Sequence, residues 1–356
     1  MLKFIVKRLL YGFLVLFGVL SVVFLMFNVL PGDPARMQMG QHTDSASVAI
    51  IRQDLGLDQP LPKQYLMFLN DISFLSVHHP ENRKDSYYLD TVKYGQPLQL
   101  FSVGGGRELV LKMPYLRRSY HDRRPVSEII LETLPETIVL AFAAMIIASV
   151  FGIALGIVGA LNKNSWIDRS IAVFSTLGTA GPSFFYALII SWVFGYLLKE
   201  ITGLKNAGSL FDPVDESLQL QNLILPAITL GIRPLALITQ LTRSSLLEVL
   251  SHDYIRTAHA KGLSRMKVIF KHALKNAMNP VVTSISGWLA SLMAGAALVE
   301  PIFDWKGIGN EVVQALMNYD LPVVMGSTLV FSIMFVILNL LVDISYGFLD
   351  PRVRVQ

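Results

Sequence analysis

Long stretches without a charged residue divide this chain. Five of them run through residues 9–32, 137–162, 170–198, 276–299 and 321–342, and a sixth, residues 217–242, contains one charge, Arg233. A helix of about 20 residues crosses the apolar part of a bilayer, where the backbone must satisfy its own hydrogen bonds. Alternating segments of the kind that build a membrane barrel are absent from the sequence. The pattern therefore predicts an all-α membrane protein with six transmembrane helices.

The first window follows Lys3, Lys7 and Arg8, as the apolar part of a secretory signal would. It is longer than the roughly 7 to 15 residues typical of such a signal, and the residues after it, Leu30-Pro31-Gly32, offer no small-residue cleavage site. We therefore expect residues 9–32 to form an uncleaved first transmembrane helix.

The distribution of Lys and Arg predicts the orientation of these helices. If the N-terminus is cytoplasmic, the cytoplasmic segments hold fourteen Lys and Arg, seven of them between Arg243 and Lys275, and the two short outer loops hold three. Residues 33–136 carry twelve more, but long loops are translocated largely regardless of charge. Both termini are therefore expected in the cytoplasm.

Residues 33–136 form the main segment outside the membrane. The glycines Gly104, Gly105 and Gly106 lie between two apolar stretches, residues 98–103 and 109–113. Such a pattern is typical of short strands joined by a turn. We expect a small outer loop domain that covers the helices, and the three glycines are interpreted as a turn rather than a phosphate-binding loop.

Composition agrees with a membrane protein and excludes several kinds of chemistry. Hydrophobic residues make up 53% of the chain and charged residues 16%, with a mean hydropathy of +0.50. The chain has no cysteine, which excludes disulfides, thiol catalysis and cysteine-zinc sites. It has no Gly-Lys dipeptide either, so a phosphate-binding loop is impossible and ATP must be handled by another chain. We expect no catalytic, cofactor or metal site, and no nucleic-acid partner.

Charged groups inside the spans are scarce. Ion-coupled carriers usually need Asp, Glu or His there, whereas Glu136, Glu300, Asp320 and Asp343 only bound their helices, where snorkelling or capping accounts for them. Arg233 alone lies within a span. It could line a pathway and meet an anion such as a peptide carboxylate, or pair with backbone carbonyls that Pro234 leaves free. The adjacent proline favours the second interpretation.

Glycines mark two further places in the spans. Gly152 and Gly156 form a pair of small residues four positions apart, which favours close helix packing. Gly181 and Pro182 interrupt the third window and could act as a gate hinge or as part of a pathway lining.

The basic loop between the fourth and fifth windows has a helix–turn–helix pattern. Apolar residues recur at helical spacing on both sides of Gly262, as Tyr254, Ile255 and Ala258 and then as Met266, Ile269, Phe270, Ala273 and Leu274. Gly262 can take the left-handed cap conformation, Ser264 can cap the second helix, and Ala258 and Ala260 leave room for a partner. Docking of a partner and contact with anionic lipid both remain open at this point.

This loop resembles the EAA loop of ABC-importer permeases in the version of the peptide-transport family. The resemblance is carried by residues 256–258, 260–264 and 272–277, with departures at His259 and Asn279. It extends to LPGDPA at residues 30–35 and to residues 55–65, 124–127, 241–250, 299–309 and 350–354. These look like the B-type permease of dipeptide and oligopeptide importers over nearly the whole chain. The exception is residues 77–114, which look inserted.

The resemblance implies a permease subunit in the bacterial inner membrane that is not itself an enzyme. The implied partners are a second homologous permease, two ATP-binding subunits, an external solute-binding protein and the lipid bilayer. The chain is expected to divide into a first transmembrane helix at 9–32, an outer loop domain at 33–136 and a permease domain at 137–350, which contains a coupling loop at 243–276. Coupling is assigned to the residues Asp253, Arg256, Thr257, Ala258, Ala260, Lys261, Gly262 and Leu263.

The substrate is less specified than the family. Peptides are expected, and nickel chelates or oligosaccharides are the alternatives within the same family. A membrane receptor or assembly scaffold is the alternative from another class. Pathway or gate roles are assigned to Gly181, Pro182 and Arg233.

Overall fold

The computed structural model of the protein describes residues 2–29, 58–82, 85–211 and 217–349. The motifs at 30–35 and 350–354 lie outside these residues, as does the side chain of Asp343. The chain divides into two compact units. We call residues 1–14, 132–313 and 331–356 the helical unit, and residues 15–131 and 314–330 the sheet unit.

Helices make up most of the described chain. The elements up to the hairpin are α1 (Leu2–Val29), α2 (Leu61–Ile72), β1 (Leu75–His78), α3 (Thr91–Tyr94), β2 (Leu98–Gly104) and β3 (Arg107–Leu111). Those that follow are α4 (Val126–Leu161), α5 (Trp166–Ala180), α6 (Ser183–Ile190), α7 (Lys199–Thr202), α8 (Leu220–Leu250), α9 (Asp253–Ala260), α10 (Arg265–Lys267), α11 (Leu274–Val299), α12 (Ile308–Met317) and α13 (Leu321–Leu349). π-helical segments run through Ser191–Leu197 and Val268–Ala273, and a 3-10 turn through Glu300–Phe303.

Five helical segments of the described chain are long and apolar enough to cross a membrane: Val6–Leu25, Val126–Leu161, Leu220–Leu250, Arg265–Phe303 and Leu321–Val342. A sixth is reached if Trp166–Ala180 and Ser183–Leu197, which are bent by 112° relative to each other, count as one span. The interruption predicted at Gly181 and Pro182 is present at this bend. Five of the six predicted windows thus correspond to candidate spans, and the sixth, residues 170–198, corresponds to the bent pair.

The core of the helical unit lies where α4, α8 and α11 meet. Its buried members include Leu140, Leu230, Ile238 and Met293. Gly152 and Gly156 lie against α8 as predicted: a Cβ on Gly156 would be 2.5 Å from the Thr242 Cβ. This pair therefore serves helix packing, because only glycine lets the two backbones come so close.

A buried carboxylate fastens one end of the helical unit. The side chain of Glu300 is fully buried and accepts hydrogen bonds from the Thr137 Oγ1 at 2.7 Å and the Asn310 amide at 2.9 Å. Thr137 in turn accepts from the Ile308 amide at 2.9 Å. Capping at the start of α12 therefore accounts for Glu300, as predicted. The alternative of snorkelling is wrong here, because the carboxylate does not reach solvent.

The sheet unit contains the predicted hairpin. β2 and β3 pair in an antiparallel manner and are joined by the turn at Gly104, Gly105 and Gly106, all with positive φ. β1, which the sequence pattern did not predict, pairs with the other side of β3. Asp320 does not cap its own helix with its side chain. Its carboxylate instead accepts from the Ser119 hydroxyl and from the amides of Tyr120 and His121.

A buried polar cluster lies beneath the sheet. The Lys112 Nζ donates to the Asp71 carbonyl at 2.6 Å and lies 4.6 Å from the centre of the Tyr94 ring. The Tyr94 hydroxyl donates to the Asp71 carboxylate at 2.7 Å, and the His78 ring lies 4.7 Å from the Tyr94 ring. Burial lowers the pKa of Lys112 to about 8, lowers the pKa of His78 and raises the pKa of Tyr94.

Candidate functional site

The coupling loop has a sharply defined turn. α9 ends in a pair of hydrogen bonds, from the Leu263 amide to the Ala258 carbonyl at 3.3 Å and from the Gly262 amide to the His259 carbonyl at 2.9 Å. This is the Schellman arrangement, which needs a left-handed residue after the helix. Gly262 supplies it with a φ of +79°. The predicted glycine cap is confirmed, whereas Ser264 stands at the start of α10 without a side-chain capping bond.

One face of the loop is buried against other residues of the helical unit. Ile255 and Ala258 of α9 pack with Leu246 of α8, and Val268 and Ala273 of the π-helical segment complete the cluster. Leu263, the residue after the turn, packs on the same cluster. This apolar base fixes the loop to the end of α8. Ala258 therefore serves this internal packing rather than leaving room for a partner.

The opposite face of the loop is exposed. It carries the other residues predicted for coupling, namely Asp253, Arg256, Thr257, Ala260, Lys261 and Gly262. The Arg256 guanidinium donates to the Asp253 carboxylate at 3.2 Å, with both side chains in solvent. A Cβ on Gly262 would meet no atom of the described residues within 4 Å. The turn is therefore open to a surface that approaches from outside.

Three large apolar residues of the helix–turn–helix pattern lie on this exposed side. Met266 is 63% exposed, Phe270 50% and Tyr254 42%, while Val268 and Ile269 are buried. Phe270 lies in the π-helical segment and Met266 in α10 before it. The recurrence of apolar residues at helical spacing did not reveal that these three side chains are exposed.

The broken helix is held by one tyrosine. The Tyr186 hydroxyl of α6 accepts from the Gly181 amide at 3.1 Å and donates to the Leu177 carbonyl of α5. A Cβ on Gly181 would collide with this hydroxyl. Pro182, which has no amide hydrogen to leave unpaired, stands directly before α6. Gly181, Pro182 and Tyr186 therefore together stabilise the bend.

Arg233 lies on the exposed stripe of α8. No hydrogen bond or ion pair of its side chain is found within the described part of the chain, including any to the Leu230 carbonyl that Pro234 leaves without its helical donor. The preceding residue, Ile232, contacts Gly178 of α5, where a Cβ would be 3.3 Å from its side chain and 3.0 Å from Ala236. The contacts expected of a structural arginine are thus not seen in the described residues, and the helix that carries Arg233 packs beside the broken one.

The described residues contain no group of three or more His, Asp or Glu that could hold a metal ion. What they provide is an exposed, basic face on an apolar base. Residues 152–355, which include every predicted site residue, match the family described as binding-protein-dependent transport system inner membrane component, and residues 1–82 match the N-terminal region of such components. The chain belongs to this transport family.

Relatives of this transport family align over the full length of the chain. The dipeptide transport system permease protein DppB of Alkalihalophilus pseudofirmus is 34% identical and covers 99% of this chain and 100% of its own. A putative peptide permease of Brucella suis is 34% identical over the whole of both chains. The glutathione transport system permease protein GsiC of Escherichia coli is 34% identical over 99% of each.

A solved structure shows the same fold. The inward-facing MetNI methionine ABC transporter matches with a TM-score of 0.51 at 17% identity, over 64% of this chain and 96% of that chain. The protein is accordingly a permease subunit of an ABC importer in the bacterial inner membrane and not an enzyme. Membership in the family also implies ATP-binding and substrate-binding partners.

Proposed function

We propose that this chain forms half of the translocation pathway of an ATP-driven importer for peptides of the dipeptide or oligopeptide type. The importer role is supported chiefly by the coupling loop, whose exposed face stands on a buried apolar base and turns at Gly262. The peptide class is supported by the full-length relatives named for dipeptide, peptide and glutathione transport. Nickel chelates and oligosaccharides are the alternative substrates.

The proposed complex contains a second homologous permease, two ATP-binding subunits and an external solute-binding protein. Because the chain has no phosphate-binding loop, partners must hydrolyse ATP. The excess of Lys and Arg in the coupling loop supports a cytoplasmic location for that loop and for both termini. The ATP-binding subunits can reach its exposed face there.

Motion of the ATP-binding subunits would enter through the coupling loop. Ile255 and Ala258 share a buried cluster with Leu246, so a displacement of the loop carries α8 with it rather than bending at the junction. Packed helices move as rigid bodies between discrete arrangements, which fits a switch between outward-facing and inward-facing cavities. ATP and the loaded binding protein must favour the two arrangements to different extents, or neither would shift the equilibrium.

The exposed stripe of α8 is the proposed wall of the pathway. This stripe consists of the polar residues Arg233, Gln240 and Ser244, which lie seven and four positions apart and share one side of the helix, whereas the exposed Ile224 and Ile228 lie on another side. An arginine facing lipid near the middle of a span costs about 2.5 to 3.5 kcal/mol on insertion scales. The stripe is therefore expected to face water or a partner helix, and Arg233 to meet an anionic group of the substrate. The bend at Gly181 and Pro182 is the proposed gate.

The Gly262→Asp variant tests the docking role of the coupling loop. A Cβ at this position would meet no atom of the described residues within 4 Å, so apart from backbone strain a large effect is expected to come from a partner. We expect the variant to assemble poorly with the ATP-binding subunits, or to hydrolyse ATP with about tenfold less uptake per ATP, within the usual range of coupling energies. The measurement is ATP hydrolysis and peptide uptake by the importer reconstituted in liposomes.

Gly262→Asn is the matched control, because asparagine has nearly the shape of aspartate and a similar tolerance of the left-handed backbone but no charge. Normal assembly and coupling in Gly262→Asp would refute the docking role. Uptake by wild-type protein without ATP-binding partners would refute the importer function. Absence of substrate-stimulated hydrolysis in the complete assembly would favour the receptor or scaffold, and parallel uptake assays with nickel chelates and oligosaccharides decide between substrate classes.

A further inference from the structure

A bidentate ion pair joins the first turn of the broken helix to the end of α8. The Asp168 carboxylate of α5 accepts from the Arg243 Nε at 2.5 Å and from a terminal guanidinium nitrogen at 2.7 Å. The Asn164 amide donates to the same carboxylate at 2.9 Å. Asp168 is 3% exposed. Two parallel charge-assisted bonds to a fixed carboxylate hold both the distance and the angle between the two helices.

The pair also rests on a third helix. A Cβ on Gly159 of α4 would lie 3.4 Å from the Arg243 Cδ and 3.5 Å from an Asp168 carboxylate oxygen. Those are ordinary contact distances, so the backbone of α4 lies directly beside the ion pair. The pair therefore has little room to move away from its position between α4, α5 and α8.

The remainder of the buried face of α5 is uncharged. The buried residues of α5 are Asp168, Ile171, Ser175 and Gly178, and Gly178 lies against Ala236 and Ile232 of α8. Apolar packing is not directional, whereas the two hydrogen bonds of the ion pair are. The ion pair therefore opposes sliding of α5 along α8 in a way that the apolar contacts do not.

We infer that the Asp168–Arg243 pair transmits displacement of the coupling loop to the broken helix. This inference rests on the proposed function. The loop is fixed to α8 through the cluster around Leu246, α8 is fixed to α5 through the ion pair, and α5 ends at the bend held by Tyr186. Asp168 and Arg243 are thus positioning residues that keep the bend in step with the loop. They have no contact with ATP or substrate in this role.

Three variants test the inference in the reconstituted importer. Asp168→Asn removes one charge and keeps an acceptor, and Arg243→Lys keeps the charge and loses the bidentate geometry. We expect both to assemble and to hydrolyse ATP, but to take up about tenfold less peptide per ATP hydrolysed, in the range of allosteric coupling. The double exchange Asp168→Arg with Arg243→Asp is expected to recover part of that ratio. Arg169→Gln, which neutralises the adjacent exposed arginine, is the matched control and should leave the ratio unchanged.

A distance measurement separates transmission from mere stability. The chain has no native cysteine, so spin labels can be attached at introduced Val173→Cys on α5 and at Lys271→Cys, an exposed loop position outside the residues assigned to coupling. In the wild-type background the distance between the labels should be preserved on ATP binding. In Asp168→Asn it should change or broaden, because the loop then moves without α5.

Two results would overturn the inference. In the first, the variants are produced in lower amounts but keep the wild-type uptake per ATP. In the second, the distance between the labels responds to ATP identically with and without the ion pair. Either outcome leaves the proposed function intact, provided that the wild-type complex couples hydrolysis to uptake. A wild-type complex that does not couple them refutes the proposed function instead.

Discussion

At the scale of single residues, two glycines of the site are required for different physical reasons. Gly262 adopts a left-handed φ of +79° with open space around it, so its backbone conformation is what matters. Gly181 has an ordinary φ of −88°, but a Cβ there would collide with the Tyr186 hydroxyl. The first requirement could be predicted from a helix–turn–helix pattern. The second depends on a tyrosine that reaches back across the bend.

Lys112 is the residue of the sheet unit with the clearest electrostatic consequence. Burial lowers its pKa to about 8 from the usual 10.5. Between these two values the unfolded chain binds a proton that the folded protein does not, so stability rises as the pH rises through this window. Below pH 8 both states are protonated, and the folded state keeps the cost of a buried charge. His78, whose pKa is lowered, titrates below the window, and Tyr94, whose pKa is raised, ionises above it.

We therefore predict that the sheet unit becomes more stable by about 1 kcal/mol between pH 8 and pH 9, at up to about 1.4 kcal/mol per pH unit for a full proton difference. Closer to pH 10 the unfolded chain begins to ionise Tyr94 while the folded protein does not, and this offsets further gain. Lys112→Met should abolish this dependence and stabilise the unit at pH 7. The measurement is thermal unfolding followed by a fluorophore on an introduced Val103→Cys in the purified full-length protein. Lys93→Met, at an exposed position, is the control and should keep the dependence. Equal slopes for wild type and Lys112→Met would contradict the assignment.

At the scale of elements, apolar windows predicted the helices well and their ends less well. α4 begins at Val126, eleven residues before its uncharged window, because Glu128 and Glu132 lie on an exposed side that an amphipathic helix tolerates. The hairpin could also be predicted, since three glycines between apolar stretches leave few alternatives. β1 could not, because four residues carry too little periodicity to distinguish a strand from a loop.

The coupling loop shows where a periodic pattern fails. Helical spacing put Met266 and Phe270 in one apolar series with Ile269 and Ala273, but the first two are exposed and the other two are buried. Part of this series, Val268–Ala273, is π-helical, and nothing in the residue types marks such a segment, because it differs from an α-helix only in hydrogen-bond register. The Gly262 turn, in contrast, follows from a local conformational requirement and was predicted.

The polar stripe of α8 leads to a prediction about substrate recognition. Arg233 is exposed on this helix, and a guanidinium binds a carboxylate through charge-assisted hydrogen bonds worth about 1.5 to 3 kcal/mol. Arg233→Gln should therefore reduce uptake of a peptide with a free C-terminal carboxylate by about tenfold or more. Uptake of the same peptide with an amidated C-terminus should change little.

The external binding protein also selects peptides. To control for this, the ratio of uptake of the two peptides is measured for wild type and variant with the same binding protein. Arg233→Lys retains the charge and should keep a larger share of carboxylate preference. An equal loss for both peptides would show that Arg233 acts in folding or in contact with the partner permease, as a structural arginine would.

At the scale of the whole molecule, the division into candidate membrane spans and a segment with a hairpin between the first two could be predicted from the sequence, whereas the long-range contacts could not. Asp168 and Arg243 are 75 positions apart, and Ser119 and Asp320 are 201 apart. No property of either residue alone identifies its partner, because charge and size allow many others. The same holds for Glu300, whose carboxylate was expected to cap a helix but not to join Thr137 across the core.

The orientation of the whole chain can be tested with two cysteines. Fourteen Lys and Arg against three predict that the coupling loop faces the cytoplasm and that the segment between the first two spans faces outward. Lys261→Cys and Val92→Cys place single thiols at exposed positions of these two segments, and Val92 is 82% exposed. A membrane-impermeant maleimide added to spheroplasts should label Val92→Cys at once and Lys261→Cys only after the membrane is opened. The wild-type chain has no cysteine and measures the background directly. Because the positive-inside bias acts on short loops, the twelve basic residues of the long outer segment should not reverse this result. Labelling of both thiols from the same side would place the coupling loop beyond the reach of cytoplasmic ATP-binding subunits and would refute the orientation on which coupling depends.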